Sequence, residues 1–473
     1  MPNDFYIWDT IKKACETYAD KTAIAYEEKC MTYGELFQSV QYFKKTLEHI
    51  GICSGMRVSI MHNNPQIFLF LLLGLWSLHC TVIPLDEETP DDELKHAFDS
   101  CDCHYALSGI SRESFVESDN LYIRCFKKTV LIKFDNPAVM FYTSGTTGES
   151  KCVVFDDEAM VSNILGLCSF VGINKDDIIY TPLKISLTAA MTTAVLPALA
   201  AGAALVLTPS KMPGSIWKVL RTYQVTVFFS VPYIYDMLTQ TEVCSTEHTL
   251  RICLTCSAYM DPKIYSQFYK KTKCDIHSIY CSSEAGVISY VASNEMDKLM
   301  YTVGKPVKGV YIRVVDDNGD QLQVGKTGQI EVSGSNLAKG YYNRNDLTRR
   351  VFIRGWVKTG DLGYIDETGY IYLVGRTNEV LNISGHLVGI QEIEKVINQF
   401  VQVKDSLVYG LTDDHSHQRL ACYIVLNNDE NAFDENSFLR FCRLKMPAYK
   451  VPIKIQIVKE LPQSRYGKKK RVF

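Results

Sequence analysis

The chain has 473 residues, of which 47% are hydrophobic and 22% are charged, with 50 basic residues against 53 acidic ones. This length predicts roughly two to four domains with sizeable cores. The formal net charge of -3 leaves no extended basic surface for nucleic acid or for an anionic membrane. Any polyanion that the protein binds is therefore expected to be small and bound locally.

The cysteines indicate a reducing compartment. There are 16 of them, and they lack the dense regular spacing of a secreted disulfide framework. Cys253 and Cys256 form one C-x-x-C, and Cys101, Cys103 and His104 lie close together, but neither group has a second ligand pair at metal-site spacing. We therefore expect buried structural cysteines in a cytoplasmic protein rather than a zinc site.

Neither the N-terminus nor the most apolar segment predicts membrane targeting. The first residues, MPNDFYIWDTIKKACETY, lack the basic start and apolar stretch of a signal peptide. Residues 67–85, IFLFLLLGLWSLHCTVIPL, are interrupted by Ser77, His79 and Thr81 and closed by Pro84. The prediction here is a buried helix that runs into a buried strand, rather than a membrane span.

Up to about residue 300, helix-length segments alternate with short apolar runs rich in β-formers, which predicts an α/β fold of parallel sheets covered by helices. The runs are VSIM (58–61), TVIPL (81–85), AALVLTP (203–209), VTVFFSVP (225–232) and RICLT (251–255). We expect two such helix-covered sheets in a large N-terminal region.

The pattern changes from Tyr301 onward. Glycines punctuate alternating runs such as YIRVVDD and GQIEVSG, which predicts a small antiparallel β unit. After Gly375, the helix candidates GIQEIEKVINQF and ENSFLRFCRLK flank the strand candidate LACYIVLN. These predict a small C-terminal α+β module of about 95 residues, a plausible domain by size.

Residues 142–151, YTSGTTGESK, combine hydroxyls, glycines and a terminal lysine in one short loop. The runs VLIKF and AVMFYTS before it and VVF after it read as buried strands, and DDEAMVSNILGL then begins a helix with Asp156 as its cap. Gly145 and Gly148 permit positive φ and close approach of a ligand, while Lys151 adds a mobile positive charge. The hydroxyls that can donate to phosphate oxygens are those of Thr143, Ser144, Thr146 and Thr147.

Two interpretations of this loop remain open on its own residues. No G-K-[ST] follows the second glycine, so the loop is not a Walker A motif. A run of serine, threonine and glycine is either a flexible linker or a different kind of phosphate site. The position between two predicted strands favours the phosphate site.

The loop resembles the phosphate loop of the adenylate-forming superfamily, Y-T-S-G-T-T-G-x-P-K-G, with Ser150 in place of the proline and Cys152 in place of the glycine. Further segments resemble the family's motifs in the family's order: MTYGEL (31–36), IYCSSEAG (279–286), GWVKTGDLGYID (355–366), GRTNEVLNISGHLVGIQEIE (375–394) and PQSRYGKKKR (462–471). The chain is therefore identified as a member of this superfamily, which includes acyl-CoA synthetases, aryl-CoA ligases, luciferases and adenylation domains of nonribosomal peptide synthetases.

The resemblance implies a two-step reaction. A carboxylate attacks the α-phosphate of ATP to give an acyl-adenylate and pyrophosphate, and a thiol then displaces AMP. The loop from Thr143 to Lys151 is expected to hold the β and γ phosphates and to neutralise charge on the leaving pyrophosphate. Glu284 is expected to help hold Mg²⁺, and Ser283 to offer its hydroxyl to the α-phosphate. Cys281, which replaces a glycine of the family motif, either shapes the acyl pocket or serves only in packing.

The remaining ATP contacts are also implied by the resemblance. Asp361 in TGD is expected to accept hydrogen bonds from both ribose hydroxyls, and Arg376 to bind ribose or phosphate. The alternative for either residue is a surface ion pair. Tyr280, Ser257 and Ala258 are candidates for the adenine site.

Lys468 matches the catalytic lysine of the C-terminal motif. A primary ammonium can bridge the substrate carboxylate, the ribose and the α-phosphate, which orients the attack and stabilises its transition state. By residue type alone, Lys468 and its neighbours Lys469 and Lys470 would be a solvated basic tail. Only the G-K at this motif position distinguishes Lys468.

The hinge motif implies a division into an N-terminal adenylation core, residues 1–377, and a mobile C-terminal domain, residues 378–473. Asn378 stands at the hinge, where asparagine tolerates unusual backbone angles. Rotation there is expected to exchange Lys468, used in the first step, for a loop that lines the thiol tunnel in the second. The residues of that loop are Ser384, Gly385 and His386.

The acyl pocket is the least determined part of the site. There is no acidic residue between Tyr180 and Gly202, so an α-amino acid substrate is not expected. Lys184 and Ile185 are candidates for the pocket, and Lys184 either pairs with a second acidic group of the substrate or reaches solvent. An otherwise apolar pocket fits an aryl, fatty or polyketide-like acid.

The thiol acceptor is expected to act in trans, because the chain ends five residues after Lys468. Coenzyme A and the phosphopantetheine of an acyl carrier protein are both possible acceptors, and the S-G-H segment favours coenzyme A. We expect no nucleic acid partner. The competing hypothesis is a catalytically weakened binding module with the same fold, which is motivated by Ser150, Cys152, Cys281 and Asn378.

Overall fold

The computed structural model describes most of the chain. The described residues are 6–112, 114–118, 121–126, 137–143, 151–208, 210, 212–241, 248–256, 260–291, 298, 301–377, 380–383, 386–412, 418–427 and 433–462.

The largest sheet has nine strands, and its central strands are parallel. In spatial order they are Lys305–Pro306, Gly286–Tyr290, Ile276–Ser282, Ile252–Thr255, Val227–Ser230, Ile178–Tyr180, Ala204–Val206, Thr22–Tyr26 and Lys29–Thr32. Three of the predicted runs supply central strands here.

A second sheet has eight strands, and its centre is again parallel. The strands are Gly340–Tyr341, Lys151–Asp156, Pro137–Thr143, Thr81–Pro84, Arg57–Met61, Tyr105–Ser108, Leu121–Cys125 and Val116–Ser118. The two parallel sheets confirm the predicted α/β class.

Helices connect and cover these strands. They are Ile7–Thr17, Tyr33–His49, Pro65–Ser77, Asp91–Ser100, Asp157–Val171, Thr188–Ala190, Met191–Val195 (a π-helix), Leu196–Ala200, Pro213–Thr222, Pro232–Gln240, Pro262–Thr272, Asn345–Val351, Ile390–Ile397, Glu435–Lys445 and Ala448–Lys450 (a 3₁₀ turn).

Local sequence sets where several helices begin. Proline occupies the first helical position at residues 65, 213, 232 and 262, where its missing amide is not needed and its fixed φ suits the helix. The side chain of Asn64 caps the first of these helices, and Asp156 caps the helix Asp157–Val171 as predicted.

The motif MTYGEL has a structural explanation in its helix start. The Thr32 hydroxyl accepts a hydrogen bond from the Glu35 amide at 3.2 Å, and Glu35 Oε2 accepts from the Thr32 amide at 2.8 Å. Tyr33 between them is fully buried and donates its hydroxyl to the Ala203 carbonyl at 2.7 Å. The segment is thus a capping box joined to an anchoring tyrosine.

The apolar segment 67–85 is a buried helix followed by a buried strand, as predicted. The helix Pro65–Ser77 has a core of fully buried leucines, and the strand Thr81–Pro84 is buried along its length. Trp76 Nε1 donates to the Ala138 carbonyl at 2.9 Å, which fixes the helix against the strand Pro137–Thr143. In the part of the chain that the structure describes, no helix has the length and apolarity needed to cross a bilayer.

Aromatic packing joins the helices to the nine-stranded sheet. Trp217 stacks with Phe268 at 6.0 Å between ring centroids, and Tyr235 meets Phe268 edge-on at 5.0 Å. Phe228 of the central strand packs beneath them in the same buried cluster. Large rings buried together in this way stabilise the layer strongly.

The segment after Tyr301 contains the predicted small β unit. Its five-stranded sheet consists of Val310–Val315, Gly328–Gly334, Trp356–Ile365, Phe352–Ile353 and Ile371–Arg376. Later strands form a pair, Val380–Ile383 with His386–Gly389, and a three-stranded sheet, Val403–Thr412, Gln418–Leu426 and Lys454–Ile457. The helices Ile390–Ile397 and Glu435–Lys445 share an apolar core with this three-stranded sheet.

The chain forms two compact units. The first comprises residues 1–312 and 331–359, and the second comprises residues 313–330 and 360–473. The division predicted between residues 377 and 378 comes from a hinge motif and remains a prediction about motion, since compactness alone does not test it.

Candidate functional site

The predicted phosphate loop connects two paired strands. Thr143 ends the strand Pro137–Thr143, Lys151 begins the strand Lys151–Asp156, and these two residues are direct antiparallel partners. The loop is therefore held at both ends by one sheet. Its inner residues Ser144, Gly145, Thr146, Thr147 and Gly148 lie outside the described residues, as does the Thr143 side chain.

Tyr341 connects two of the predicted site residues. Its hydroxyl donates a hydrogen bond to Glu284 Oε1 at 2.7 Å, and the Lys151 ammonium lies 5.3 Å from the centre of its ring. The ring therefore places an acid at its hydroxyl and a cation at its face. Burial, followed by the Glu284 charge, raises the pKa of Tyr341 well above its usual range, so this hydroxyl remains a donor.

Tyr341 owes its position to a short edge strand. Gly340 and Tyr341 pair antiparallel with Val154 and Val153, and the Tyr341 amide donates to Thr348 Oγ1 at 2.9 Å. Gly340 has a φ of +139°, and a Cβ there would lie 2.7 Å from Thr348. Sequence reasoning missed Tyr341, and the only signal was a glycine before paired tyrosines in KGYYN.

The turn that carries Glu284 is anchored by two buried asparagines. Asn163 Oδ1 accepts from the Val287 amide at 2.8 Å, and Asn336 Nδ2 donates to the carbonyls of Ala285 and Val287 at 2.6 and 2.7 Å. The Glu284 carbonyl also accepts from the Ala338 amide at 2.9 Å. Buried amide side chains that satisfy backbone groups fix the turn, and neither asparagine was predicted.

The strand Ile276–Ser282 leads directly into this turn. Tyr280 is buried, whereas Cys281 and Ser283 are half-buried. Cys281 is the antiparallel partner of Val287 in the hairpin. The adenine, α-phosphate and acyl-pocket roles predicted for these residues remain predictions, and Ser257 and Ala258 lie outside the described residues.

Packing accounts for Cys152, which stands where the family's phosphate loop has glycine. Cys152 is 3% exposed, and its sulfur lies 3.0 Å from the sulfur of fully buried Cys101. The hydrogen bond between the thiols and burial raise the pKa of Cys101. A thiol in place of the family glycine therefore completes a buried cluster beside the loop.

In the second unit, Asp361 and Arg376 form an ion pair. They are direct cross-strand partners, and Arg376 Nε donates to Asp361 Oδ1 at 2.7 Å. The Asp361 side chain is 7% exposed and that of Arg376 is 50% exposed. A buried carboxylate with a fixed cation beside it suits recognition of ribose hydroxyls, which remains the predicted role of the pair.

Lys184 pairs with two carboxylates of the protein itself, whereas the sequence predicted either a substrate carboxylate or solvent beside it. Its ammonium lies 2.8 Å from Asp86 Oδ1 and 3.0 Å from Glu88 Oε2, in a loop that also contains the buried Ile185. Burial lowers the pKa of Lys184, but its hydrogen bonds and charge interactions with the two carboxylates outweigh that effect and raise it. Lys184 is thus a paired cation rather than a solvated one, and membership of Lys184 and Ile185 in the acyl pocket stays a prediction.

Several predicted residues fall outside the described part of the chain. These are Lys468, Asn378, Ser384 and Gly385. His386 begins the strand His386–Gly389 and is the partner of Ile383, and its side chain is not among those described.

Glu284 remains the residue predicted to help hold Mg²⁺. Its carboxylate is a hard oxygen ligand, and Mg²⁺ commonly takes one or two carboxylates together with phosphates and water. Within the described ranges, no three histidine, cysteine or acidic side chains are grouped as a metal site.

Two sequence families match the chain. One, described as AMP-binding enzyme, matches residues 11–342, and the other, described as AMP-binding enzyme C-terminal domain, matches residues 392–468. Both matches cover motifs discussed above.

Similar proteins align over nearly the whole chain. A 2-succinylbenzoate–CoA ligase of Bacillus cereus is 26% identical over 94% of this chain and 93% of that protein. ATP-bound MatB from Rhodopseudomonas palustris has a TM-score of 0.86 at 24% identity, covering 98% and 97% of the two chains. The O-succinylbenzoate coenzyme A synthetase of Bacillus subtilis, in complex with AMP, has a TM-score of 0.85 at 20% identity, covering 98% and 97%. The structural matches show a shared fold.

Proposed function

Since the chain belongs to the family of AMP-binding enzymes, we propose that it activates an aryl, fatty or polyketide-like carboxylic acid with ATP and Mg²⁺ and passes the acyl group to coenzyme A. The membership confirms the resemblance to the adenylate-forming superfamily. The protein is an AMP-forming acid–thiol ligase that adenylates a small-molecule acid and forms a coenzyme A thioester. The identity of the acid is the open part of the proposal.

The contact of Tyr341 with both Glu284 and Lys151 is the observation that carries the proposal. A cation beside the phosphate loop and a carboxylate 2.7 Å from the same tyrosine suit a nucleoside triphosphate and its Mg²⁺ respectively. The cation stabilises the negative charge that develops on the leaving pyrophosphate, and the carboxylate is a ligand for the metal. Bound Mg²⁺ supplies charge neutralisation at the phosphates.

Lys151 and the loop before it hold the outgoing phosphates in this proposal. Lys151 is fixed at the start of its strand by the partner Thr143 and lies over the Tyr341 ring. A side chain held in this way needs little reorganisation when charge builds on the phosphates. Glu284, held by Tyr341, is the protein's carboxylate for the metal.

Asp361 orients the nucleotide through its ribose. Arg376 lies 2.7 Å from this buried carboxylate, and a carboxylate has oxygens enough to accept hydrogen bonds from two hydroxyls as well. Arg376 remains half exposed and can reach a phosphate or ribose oxygen. The pair therefore acts on orientation rather than on the reacting bond.

Lys468 contacts the reacting atoms in the first step. Its ammonium contacts both the attacking carboxylate and the α-phosphate. It stabilises the negative charge that grows on the phosphate oxygens as the phosphorus–oxygen bond to pyrophosphate breaks. Hinge motion at Asn378 then brings the segment of Ser384 and His386 to the thiol for the second step.

The test is direct. The protein is incubated with ATP, Mg²⁺ and a library of carboxylic acids, with either coenzyme A or a phosphopantetheinylated carrier protein, and the products are identified by mass spectrometry. We expect acid-dependent AMP release and an acyl-CoA. Loading of the carrier alone would reassign the acceptor, and absence of acid-dependent pyrophosphate exchange with every acid would overturn the proposal.

A further inference from the structure

We propose that Asp86 and Glu88 restrict the enzyme to acids with a single carboxylate by occupying Lys184. The inference rests on the proposed function and names the substrate class of the same site. It starts from a contact between two loops that are distant in sequence, in which one ammonium serves two carboxylates at 2.8 and 3.0 Å.

Both loops follow parallel strands at their carboxyl ends. Lys184 comes after the strand Ile178–Tyr180 of the nine-stranded sheet, and Asp86 comes after Thr81–Pro84 of the eight-stranded sheet. The second strand is the parallel neighbour of Pro137–Thr143, through the pair Val82 and Val139. Its loop therefore leaves the sheet at the same edge as the phosphate loop, and in open α/β sheets ligands bind at this edge.

The acidic loop is pre-formed to hold its charges. Asp86 Oδ1 accepts from the Glu88 amide at 3.0 Å, and the Asp86 carbonyl accepts from the Thr89 amide at 3.0 Å. The opposite loop is also a closed turn, because the Leu187 amide donates to the Lys184 carbonyl at 3.0 Å. Two preformed turns keep the lysine between the acids before any substrate arrives.

The ion pairs of Lys184 decide how these loops meet a second carboxylate. Lys184 would be the natural partner for such a group, but its ammonium already faces Asp86 at 2.8 Å and Glu88 at 3.0 Å. The Asp86 and Lys184 side chains are 20% and 32% exposed, so solvent screens this pair only in part, whereas Glu88 is 55% exposed and is screened more. A second substrate carboxylate would have to displace these acids from Lys184, whereas an uncharged alkyl or aryl group would not.

The test uses pairs of acids that differ by one carboxylate. These are 3-benzoylpropionate against 2-succinylbenzoate, which adds a ring carboxylate, and hexanoate against adipate. Acid-dependent AMP release gives kcat/KM for each. We expect the monocarboxylic member to be favoured by about tenfold or more in at least one pair.

Variants test whether Asp86 and Glu88 cause the preference for monocarboxylic acids. In the double variant Asp86→Asn/Glu88→Gln, Lys184 is released, and the preference is expected to shift toward the dicarboxylic member by about tenfold. Adding Lys184→Met should abolish that gain. The control is Asp176→Asn. It also removes a carboxylate paired with two lysines, Lys21 and Lys175, but Asp176 precedes the strand Ile178–Tyr180 at its amino end. This variant should leave the preference unchanged.

The outcomes separate the two proposals. Equal or better use of the dicarboxylic acids by the unaltered enzyme would overturn the inference alone, and this measurement needs no variant to fold. An unchanged preference in a folded double variant would also overturn it. AMP release from no acid would overturn the proposed function, and the inference with it.

Discussion

The Tyr341 hydroxyl donates to Glu284 Oε1 at 2.7 Å, although the two residues are 57 positions apart. Glu284 follows a strand of the nine-stranded sheet, whereas Tyr341 lies in the edge strand of the eight-stranded sheet. The bond therefore joins the two sheets at the acid proposed to hold Mg²⁺. Tyr341 acts as a positioning residue for Glu284 and, through its ring, for Lys151.

Tyr341→Phe separates the two contacts of this residue. The variant keeps the ring beneath Lys151 and loses the hydrogen bond to Glu284, so we expect kcat/KM for ATP to fall about tenfold, with a higher Mg²⁺ requirement. The measurement is pyrophosphate exchange at varied Mg²⁺. Tyr342→Phe is the matched control, because the Tyr342 hydroxyl donates to Asp102 at 3.0 Å. Equal effects of both variants on the Mg²⁺ requirement would contradict the positioning role.

Lys468→Ala should abolish adenylate formation and preserve thioester formation from a supplied acyl-adenylate. The reason is that the ammonium stabilises charge only in the attack on the α-phosphate. Both half-reactions are followed by mass spectrometry, with Lys469→Ala as the neighbouring control. Equal loss of both steps would refute the assignment of Lys468 to the first step alone.

Arg376→Ala should destabilise the second unit. The change removes the cation beside the nearly buried Asp361 carboxylate. Because Arg376 is half exposed, we expect the free energy of unfolding to fall by only about 1–2 kcal/mol. Urea unfolding measures it. Arg376→Lys keeps the charge and should lose less stability. If neither Arg376→Ala nor Arg376→Lys changes the free energy of unfolding, the pair does not stabilise the fold.

Thr32→Ala should lower stability by about 1 kcal/mol without changing kcat. Thr32 and Glu35 form a capping box, and neither is assigned a contact with substrate. Thr32→Ser retains the hydroxyl and serves as the control. A selective loss of activity at unchanged unfolding free energy would show a catalytic part for the MTYGEL segment.

Stability should depend on pH through Asp157. Burial raises the pKa of Asp157 to about 6; the nearby charges of Asp156 and Asp9 also raise it, and the hydrogen bond from the Ile7 amide opposes the rise. Because the folded protein holds this proton more tightly than the unfolded chain, the stabilisation is complete below about pH 4 and is lost as pH rises through about 6.

Asp157→Asn tests that dependence. Asparagine keeps an oxygen for the Ile7 amide, so stability near pH 4 should change little, while at pH 7.5 it should rise by up to about 3 kcal/mol. Thermal unfolding across this range, with the exposed neighbour Glu158→Gln as control, gives the comparison. A variant that is equally stabilised at both pH values would rule out titration of Asp157.

Much of the fold could be predicted from local patterns. The capped helix at Asp156, the two strands that directly flank the phosphate loop and the buried helix before Thr81 appear where expected. The strand predicted for VLIKF (130–134) lies outside the described residues. Each of these predictions depends on neighbours within one element, where residue type and periodicity carry the information. Tyr341 could not be found in this way, because its contact with Glu284 depends on an edge strand beside Val153 and Val154.

The sequence by itself determined the family and the reaction type, because several of its segments resemble the motifs of the adenylate-forming superfamily in the family's order. Only the tertiary structure decided which groups neutralise one another. Asp86 and Glu88 meet Lys184 nearly 100 positions away, and Tyr341 meets both Glu284 and Lys151. The Lys184 and Tyr341–Glu284 contacts each join residues carried by two different sheets, a relation set by tertiary packing that no local spacing in the sequence records.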